Sequence, residues 1–385
     1  MIALRSRAIV TPSGPLDGYL TIAGDRIHRV GPASDAPASA IDLGTRVLVP
    51  GFVDMHNHGG GGAWVTSGRT CDIRRALDAH LTSGTTGIVV SLMSRPFDEL
   101  VDQLHAVAEV ASLDEYNDRV LGVHLEGPFL SPERSGAQPK RHFAMPDVAN
   151  VRRLLDVAPG LVRMVTLAPE LAGAWELIDV LRSEGVVVAL GHSAASAEEA
   201  VAAYRRGATV ATHLWNGMAP IQSRAPGLAG ASIANPNVVL ELVADGVHIH
   251  ETNIRMVFDA ASADRVAFVT DAAAVAGLPA GEYEVHSSRI AVRDAAFDAE
   301  TDELLGSTMT MAVAFRRAVR EYGLDLAQAA TSTSSTPARA IGVRSDRGAI
   351  EAGMLADLVV LDSSSLTVEA VVASGDVVSG TLPNH

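Results

Sequence analysis

From about residue 50 to about residue 272 the chain repeats one rhythm: an apolar, β-branched run, a polar or glycine-rich turn, then a stretch with helical spacing. The pattern predicts strands over 51–56, 86–92, 120–126, 162–167, 186–190, 209–214, 238–243 and 267–270. Helices are predicted over 73–83, 96–111, 148–157, 174–184 and 197–206. Eight strands alternating with helices suggest a (β/α)8 TIM-like barrel, whose active site forms at the C-terminal ends of its strands. The flanks read differently. Residues 1–49 and 347–385 alternate apolar and polar side chains, as in Tyr19-Leu20-Thr21-Ile22 and Ala356-Asp357-Leu358-Val359, with turn signals between the runs. Neither flank can bury a core alone. They are expected to pair as one small β-sandwich, with a barrel of residues 50–346 inserted between its halves.

Polar groups capable of chemistry recur at one place in this rhythm, the far end of a predicted strand. His56 and His58 follow the apolar run Val47-Leu48-Val49-Pro50-Gly51-Phe52-Val53, and residues two apart on a strand share a face. Glu126 ends Val123-His124-Leu125-Glu126, His192 ends Ala189-Leu190-Gly191-His192, and His213 ends Ala211-Thr212-His213. Asp271 ends Val269-Thr270-Asp271. Imidazoles and carboxylates gathered at one end of a barrel suit a divalent ion that activates water and polarises a carbonyl. Asp271 is then the natural general base. His124 shares the face of Glu126, but interior packing explains it equally well. The run Gly59-Gly60-Gly61-Gly62 lacks the Gly-Lys-Ser/Thr of a phosphate loop and reads as a loop beside the metal. No Gly-x-Ser-x-Gly elbow is present, which argues against a serine hydrolase.

Composition narrows the chemistry further. The 385 residues are 48% hydrophobic and 19% charged, a globular balance. A net charge of −15 argues against nucleic acid as a partner. The apolar runs are shorter than the ~20 residues of a membrane helix. With no export signal and Cys71 as the lone cysteine, the expectation is a cytoplasmic protein without membrane contact. Lys140 is the sole lysine and lies in the polar stretch Pro139-Lys140-Arg141-His142. A carboxylated lysine bridging two ions, or a Schiff base, is therefore not expected.

The runs Pro50-Gly51-Phe52-Val53-Asp54-Met55-His56-Asn57-His58-Gly59, His124-Leu125-Glu126-Gly127-Pro128-Phe129, Gly191-His192-Ser193 and Thr212-His213-Leu214-Trp215-Asn216-Gly217-Met218 resemble the N-acetylglucosamine-6-phosphate deacetylases of the amidohydrolase superfamily. So do Ser223-Arg224-Ala225-Pro226-Gly227, Asp245-Gly246-Val247-His248, Thr270-Asp271-Ala272 and Leu305-Gly306-Ser307-Thr308-Met309, in order along nearly the whole chain. The resemblance implies a metal site of Glu126, His192 and His213, and a second position at His56 and His58 that only some members have. One or two divalent ions follow, zinc first, with iron, manganese or cobalt also suited. Asp271 matches the catalytic carboxylate, and the backbone of Asn216 and Gly217 matches the part that holds the sugar phosphate. Arg224 matches a phosphate-binding arginine reaching over from the neighbouring subunit of a homodimer. His248 matches a substrate contact, and Leu305, Ser307 and Met309 a segment around the N-acetyl pocket.

The implied reaction is hydrolysis of the acetamide of N-acetylglucosamine 6-phosphate in amino-sugar catabolism. The alternatives are another N-acyl amino-sugar phosphate, such as the galacto epimer, or a sugar-phosphate-binding protein without turnover. One departure bears on the substrate. Where the family usually reads Gly-Ala-His, this chain has Gly136-Ala137-Gln138, so a non-titrating amide replaces an imidazole. His142, four residues on, is the alternative donor.

Overall fold

The computed structural model describes residues 2–383. Its centre is a TIM barrel of eight parallel strands: β1 (Phe52–Asn57), β2 (Thr85–Met93), β3 (Val120–Glu126), β4 (Val162–Leu167), β5 (Val187–Leu190), β6 (Val210–Ala211), β7 (Val239–Val243) and β8 (Val266–Val269). Helices α1 (Thr70–Leu81), α2 (Phe97–Ala111), α3 (Val148–Val157), α4 (Ala174–Ser183), α5 (Ala197–Arg206), α6 (Gly227–Ala234), α7 (Glu251–Ala260) and α8 (Met311–Arg320) follow the strands in turn. The strands are buried on both faces, which is why they read as nearly unbroken apolar runs. Local signals set the helix ends. Ser196 and Glu199 form a reciprocal capping box at the start of α5, and Arg205 and Arg206 occupy its last turn.

Closure of the barrel runs through residues beyond the end of β8. Asp271 N donates to His56 O at 2.9 Å, and His58 N donates to Ala272 O at 3.2 Å. Beneath them the buried Asp54 carboxylate accepts from Asn57 Nδ2 at 3.0 Å, Thr270 N at 3.2 Å and Thr270 Oγ1 at 2.5 Å. This polar clasp joins first strand to last directly below the strand-end histidines.

The terminal segments form the small β-sandwich. Leu358–Leu361 pairs antiparallel with Val47–Pro50, in the register Leu358↔Pro50 and Val360↔Leu48. Ile2–Thr11, Gly14–Ala23 and Arg26–Pro32 extend that sheet on one side, Val368–Ala373 and Asp376–Gly380 on the other. The sheet folds over its own core, which includes Leu4, Ile9, Leu20, Leu48, Leu358 and Val360. Ile27 N donates to Met354 O at 2.8 Å and draws the ends together.

The structure adds helices α7 and α8 to the five predicted and departs from the hydropathy pattern in three further places. The sixth strand is a two-residue ladder rather than 209–214, because His213 (φ 27°) and Trp215 (φ 75°) turn the backbone out of the sheet. Helix α6, Gly-Leu-Ala-Gly-Ala-Ser-Ile-Ala, carries no polar face and so gave no periodic signal. Finally, Gly281–Val285, Ser288–Val292, Ala296–Asp298 and Leu304–Gly306 form a four-stranded antiparallel sheet after β8 that the sequence pattern did not predict. It packs through Val285, Ile290 and Val292 on Ala273, Ala274 and Val275, and its last strand reaches the mouth of the barrel.

Candidate active site

The strand-end groups converge. His56 is on β1, His58 one residue beyond it, and Glu126 is the last residue of β3. His192, His213 and Asp271 each stand two residues past a strand, and all three have positive φ (44°, 27° and 46°). A left-handed backbone is costly for these residue types, and here it turns each side chain across the barrel mouth. Two ligand sets result: His56, His58 and Asp271, and Glu126, His192 and His213. Glu126 spans them. Its Oε1 lies 3.0 Å from Nε2 of both His192 and His213, while its Oε2 lies 3.1 Å from Nε2 of His58. Asp271 Oδ1 is 3.4 Å from His58 Nε2 and 3.5 Å from His56 Nε2. The Asp271 side chain is 15% exposed, against 3% for Glu126 and 0% for His56, so Asp271 is the carboxylate of the cluster that can meet substrate.

Three of the four rings are oriented by their other nitrogens, whereas His213 Nδ1 is buried without a partner among the described residues. His58 Nδ1 lies 3.1 Å from Ser91 O, and His192 Nδ1 lies 2.8 Å from Arg134 O. A carbonyl oxygen only accepts, so both Nδ1 atoms carry hydrogen and both Nε2 atoms present lone pairs. His56 Nδ1 faces the buried Glu241 Oε2 at 3.1 Å, with the same consequence. Yet the Nε2 atoms of His56 and His58 are 3.0 Å apart, as are those of His192 and His213. Ring nitrogens aimed at one another at this distance, beside two carboxylates, call for positive charge between them, which a proton supplies in the metal-free protein and a divalent cation can supply in its place. The residues therefore fit one or two divalent ions bound by nitrogen and oxygen.

Electrostatics agree with that reading. Burial opposes protonation of the His58 imidazole, but Asp271 and Glu126 outweigh it and raise its pKa to about 9. Burial would raise the Asp271 carboxyl; His56 and His58 instead hold it well below the usual carboxylate range. Glu126 is held low in the same manner by His56, His192 and His213. His124 belongs to neither set. It is buried beneath the cluster between Ser91 Oγ (3.0 Å) and Thr166 Oγ1 (2.7 Å), and burial followed by the charge of His56 depresses its pKa. Packing accounts for it.

A cavity of about 350 Å³ opens above the cluster. Gln138, Asn216, Gly217, His248 and Leu305 line it beside Asp271. Gln138 is buried, donates through Nε2 to Glu126 Oε2 and accepts from Ser94 N at 2.9 Å. Gly217 (φ 59°) passes so close to His192 that a Cβ would stand 2.7 Å from Nδ1, so only glycine fits there. His248 Nδ1 lies 2.6 Å from Asp245 Oδ2; burial is outweighed by this carboxylate, and the imidazole pKa is raised. Four residues named from the sequence do not line the cavity. His142 sits on the outer loop, Arg224 is exposed on the turn Gln222–Ala225, and Ser307 and Met309 are buried behind the wall. Ser307 Oγ donates to Thr270 O and so supports the segment that carries Asp271.

Sequence reasoning missed Glu241. It lies in the middle of β7, is fully buried, and accepts through Oε2 from His213 N at 3.1 Å as well as facing His56. The signal was present as a lone carboxylate inside Val239-Leu240-Glu241-Leu242-Val243, a run otherwise suited to burial on both faces.

Comparison with known proteins agrees with this architecture. Residues 47–378 match the model of the amidohydrolase family. The N-acetylgalactosamine-6-phosphate deacetylase of Escherichia coli O157:H7 is 32% identical over 98% of this chain and 99% of its own. The N-acetylglucosamine-6-phosphate deacetylase of Bacillus subtilis (strain 168) is 32% identical over 94% of this chain and 93% of its own. A mutant N-acetyl-D-glucosamine-6-phosphate deacetylase from Mycobacterium smegmatis, solved with N-acetyl-D-glucosamine-6-phosphate, superposes with a TM-score of 0.93. It shares 37% identity across 98% of this chain and 99% of that one. With two candidate metal-ligand sets at the mouth of a TIM barrel and a family match over most of its length, the chain belongs to the amidohydrolase family.

Proposed function

We propose that the chain is a metal-dependent deacetylase that hydrolyses N-acetylglucosamine 6-phosphate to glucosamine 6-phosphate and acetate, a step of amino-sugar catabolism and cell-wall recycling. The observation that carries the reading is the placement of Asp271, a partly exposed carboxylate at the edge of two convergent ligand sets and facing an open cavity. Full-length similarity to deacetylases of amino-sugar phosphates supports the choice of substrate.

Glu126, His192 and His213 would hold one ion and His56 with His58 a second, zinc being the first choice and iron, manganese and cobalt suiting the same donors. When bound, the ions make water nucleophilic near neutral pH and polarise the amide carbonyl. Asp271 takes the proton of the attacking water and passes it to the departing nitrogen as the C–N bond breaks. Gln138 holds Glu126 from the cavity side, in the place of the family histidine. The raised pKa of His248 provides a positive charge that suits a sugar-phosphate contact, with the Asn216–Gly217 backbone beside it. Arg224, exposed in a single chain, is the residue we assign to the phosphate of the neighbouring subunit's site in a homodimer. No helix among the described residues is long and apolar enough to cross a membrane. We assign the protein to the cytoplasm, where sugar phosphates occur.

A second substrate reading has its own support, because an Escherichia coli relative is named for the galacto epimer. One assay tests both. Acetate release is followed from N-acetylglucosamine 6-phosphate, its galacto epimer and unphosphorylated N-acetylglucosamine, with protein purified without chelator. Rapid release that needs both phosphate and metal is expected from the first compound. Release from the epimer alone would reassign the substrate, and release from neither phosphate would overturn the reaction.

A further inference from the structure

A second cavity, of about 340 Å³, adjoins the catalytic one and shares with it only Met93, Ala137 and Leu305. Its walls come from the loops after β1, β2 and β3 and from the four-stranded sheet, and none of the candidate metal ligands lines it. Two guanidinium side chains, Arg95 and Arg141, face it, together with the His286 imidazole. The carboxylates nearby are already engaged or lie outside. Asp298, which also lines the cavity, accepts from the backbone N–H groups of Glu300 (2.9 Å) and Thr301 (2.8 Å). Asp72 Oδ2 lies 3.1 Å from His286 Nε2. Glu99 approaches Arg95 only to 4.0 Å, and its side chain is more than half exposed.

The guanidiniums are short of partners. Arg95 is half-buried and donates to Ser94 O at 2.9 Å. Arg141 has no ion-pair or hydrogen-bond partner among the described residues. Burial, opposed by Glu99 and reinforced by Arg141, lowers the pKa of Arg95. After its own burial, the same two arginines depress His142. A protein with a net charge of −15 thus places two arginines, half-buried Arg95 and exposed Arg141, at one concave place where no carboxylate of the described residues comes closer than 4.0 Å to either. Guanidinium groups left in this condition match the planar, bidentate geometry of a phosphate or carboxylate.

We propose that this cavity is an oxyanion-binding subsite beside the active site, in which Arg95 and Arg141 together hold a phosphate or carboxylate group. Two sources share that chemistry: a second anionic group on the substrate, such as the terminal carboxylate of a longer N-acyl chain, or a free oxyanion. Either would bear on catalysis through one loop, since Ala137, Pro139 and Arg141 line the new cavity and Gln138 between them holds Glu126.

Binding is read without turnover, so its failure is separable from failure of the deacetylase reading. The metal-loaded protein is treated with phenylglyoxal, with and without inorganic phosphate, and modified arginines are located by mass spectrometry. Mass action predicts about fivefold slower modification of Arg95 and Arg141 at about four times the dissociation constant, with exposed Arg255 unaffected. Unchanged rates at Arg95 and Arg141 up to tens of millimolar phosphate would overturn the proposal. The source is then assigned with Arg95→Met/Arg141→Met. A loss of about tenfold in kcat/KM for N-succinylglucosamine 6-phosphate, with the N-acetyl compound little changed, assigns the subsite to the substrate, that factor being about 1.4 kcal/mol. Protection by phosphate with both substrates unaffected assigns it to a free oxyanion.

Discussion

Glu241 offers a sharp test of how the metal site is held. Both donors that reach it, His56 Nδ1 and His213 N, go to the same oxygen, Oε2, at 3.1 Å. Glu241→Gln can therefore keep both hydrogen bonds through its amide oxygen, while it loses the negative charge and puts an NH2 group where Oε1 is buried without a partner. Charge-assisted bonds are about twice as strong as neutral ones, and groups that orient metal-bound histidines typically contribute 10–100-fold to metal affinity. The expected cost of Glu241→Gln is thus about tenfold, the lower end of that range. Glu241→Leu is a different perturbation. It leaves two buried N–H donors unpaired at about 1–3 kcal/mol each, or about 2–6 kcal/mol together, and frees the His56 ring to change tautomer. Loss of metal affinity should then exceed about 100-fold. The assay is metal content by mass spectrometry after dialysis against graded chelator, with a thermal melt of the stripped protein to separate folding from binding. If Glu241→Leu retained metal with unchanged affinity, the argument that Glu241 fixes the His56 lone pair would be wrong.

Three further outcomes are expected. Asp271→Asn keeps an oxygen at the ligand position but cannot take a proton, so kcat should fall about 10²–10⁴-fold with metal content retained; turnover at the unchanged rate would remove Asp271 from proton transfer. Gln138→Ala removes the donor to Glu126 and strands Ser94 N, at about 1.5–3 kcal/mol for the charged contact, so kcat/KM should drop roughly 10–100-fold and the melting temperature should fall; Michaelis–Menten kinetics and calorimetry check both. Chelator-stripped protein should be pH-sensitive through His58. Its folded pKa of about 9 stands above the ordinary imidazole value, so its contribution is complete below about pH 6.5 and is lost as pH rises toward 9. Melting temperatures should decline across that window in stripped protein and hold level in loaded protein, and a flat profile for stripped protein would contradict the assigned charge environment.

What the sequence disclosed and what it withheld have a common physical cause. Strands β3 and β4 were legible to the residue because a strand buried on both faces must be apolar throughout, and any histidine or carboxylate at its end then stands out. His56, His58, Glu126, His192, His213 and Asp271 were visible for that reason, and the structure brings these six together. Glu241 broke the same rule from inside a strand, and its role appears only when the neighbouring strands bring His56 and His213 to it. The four-stranded sheet was hidden for the opposite reason. Its strands have one face in water and short hairpins, as in Gly281–Val285 with a single buried residue, so no long apolar run marks them. That sheet supplies Leu305 to the catalytic cavity and His286 to its cationic neighbour. The ligands were therefore readable from local pattern, whereas the walls that select a substrate arise from the weakly patterned insertion and the loop around Gln138. Substrate range in this architecture can change through those walls while the ligand sets beneath them stay fixed.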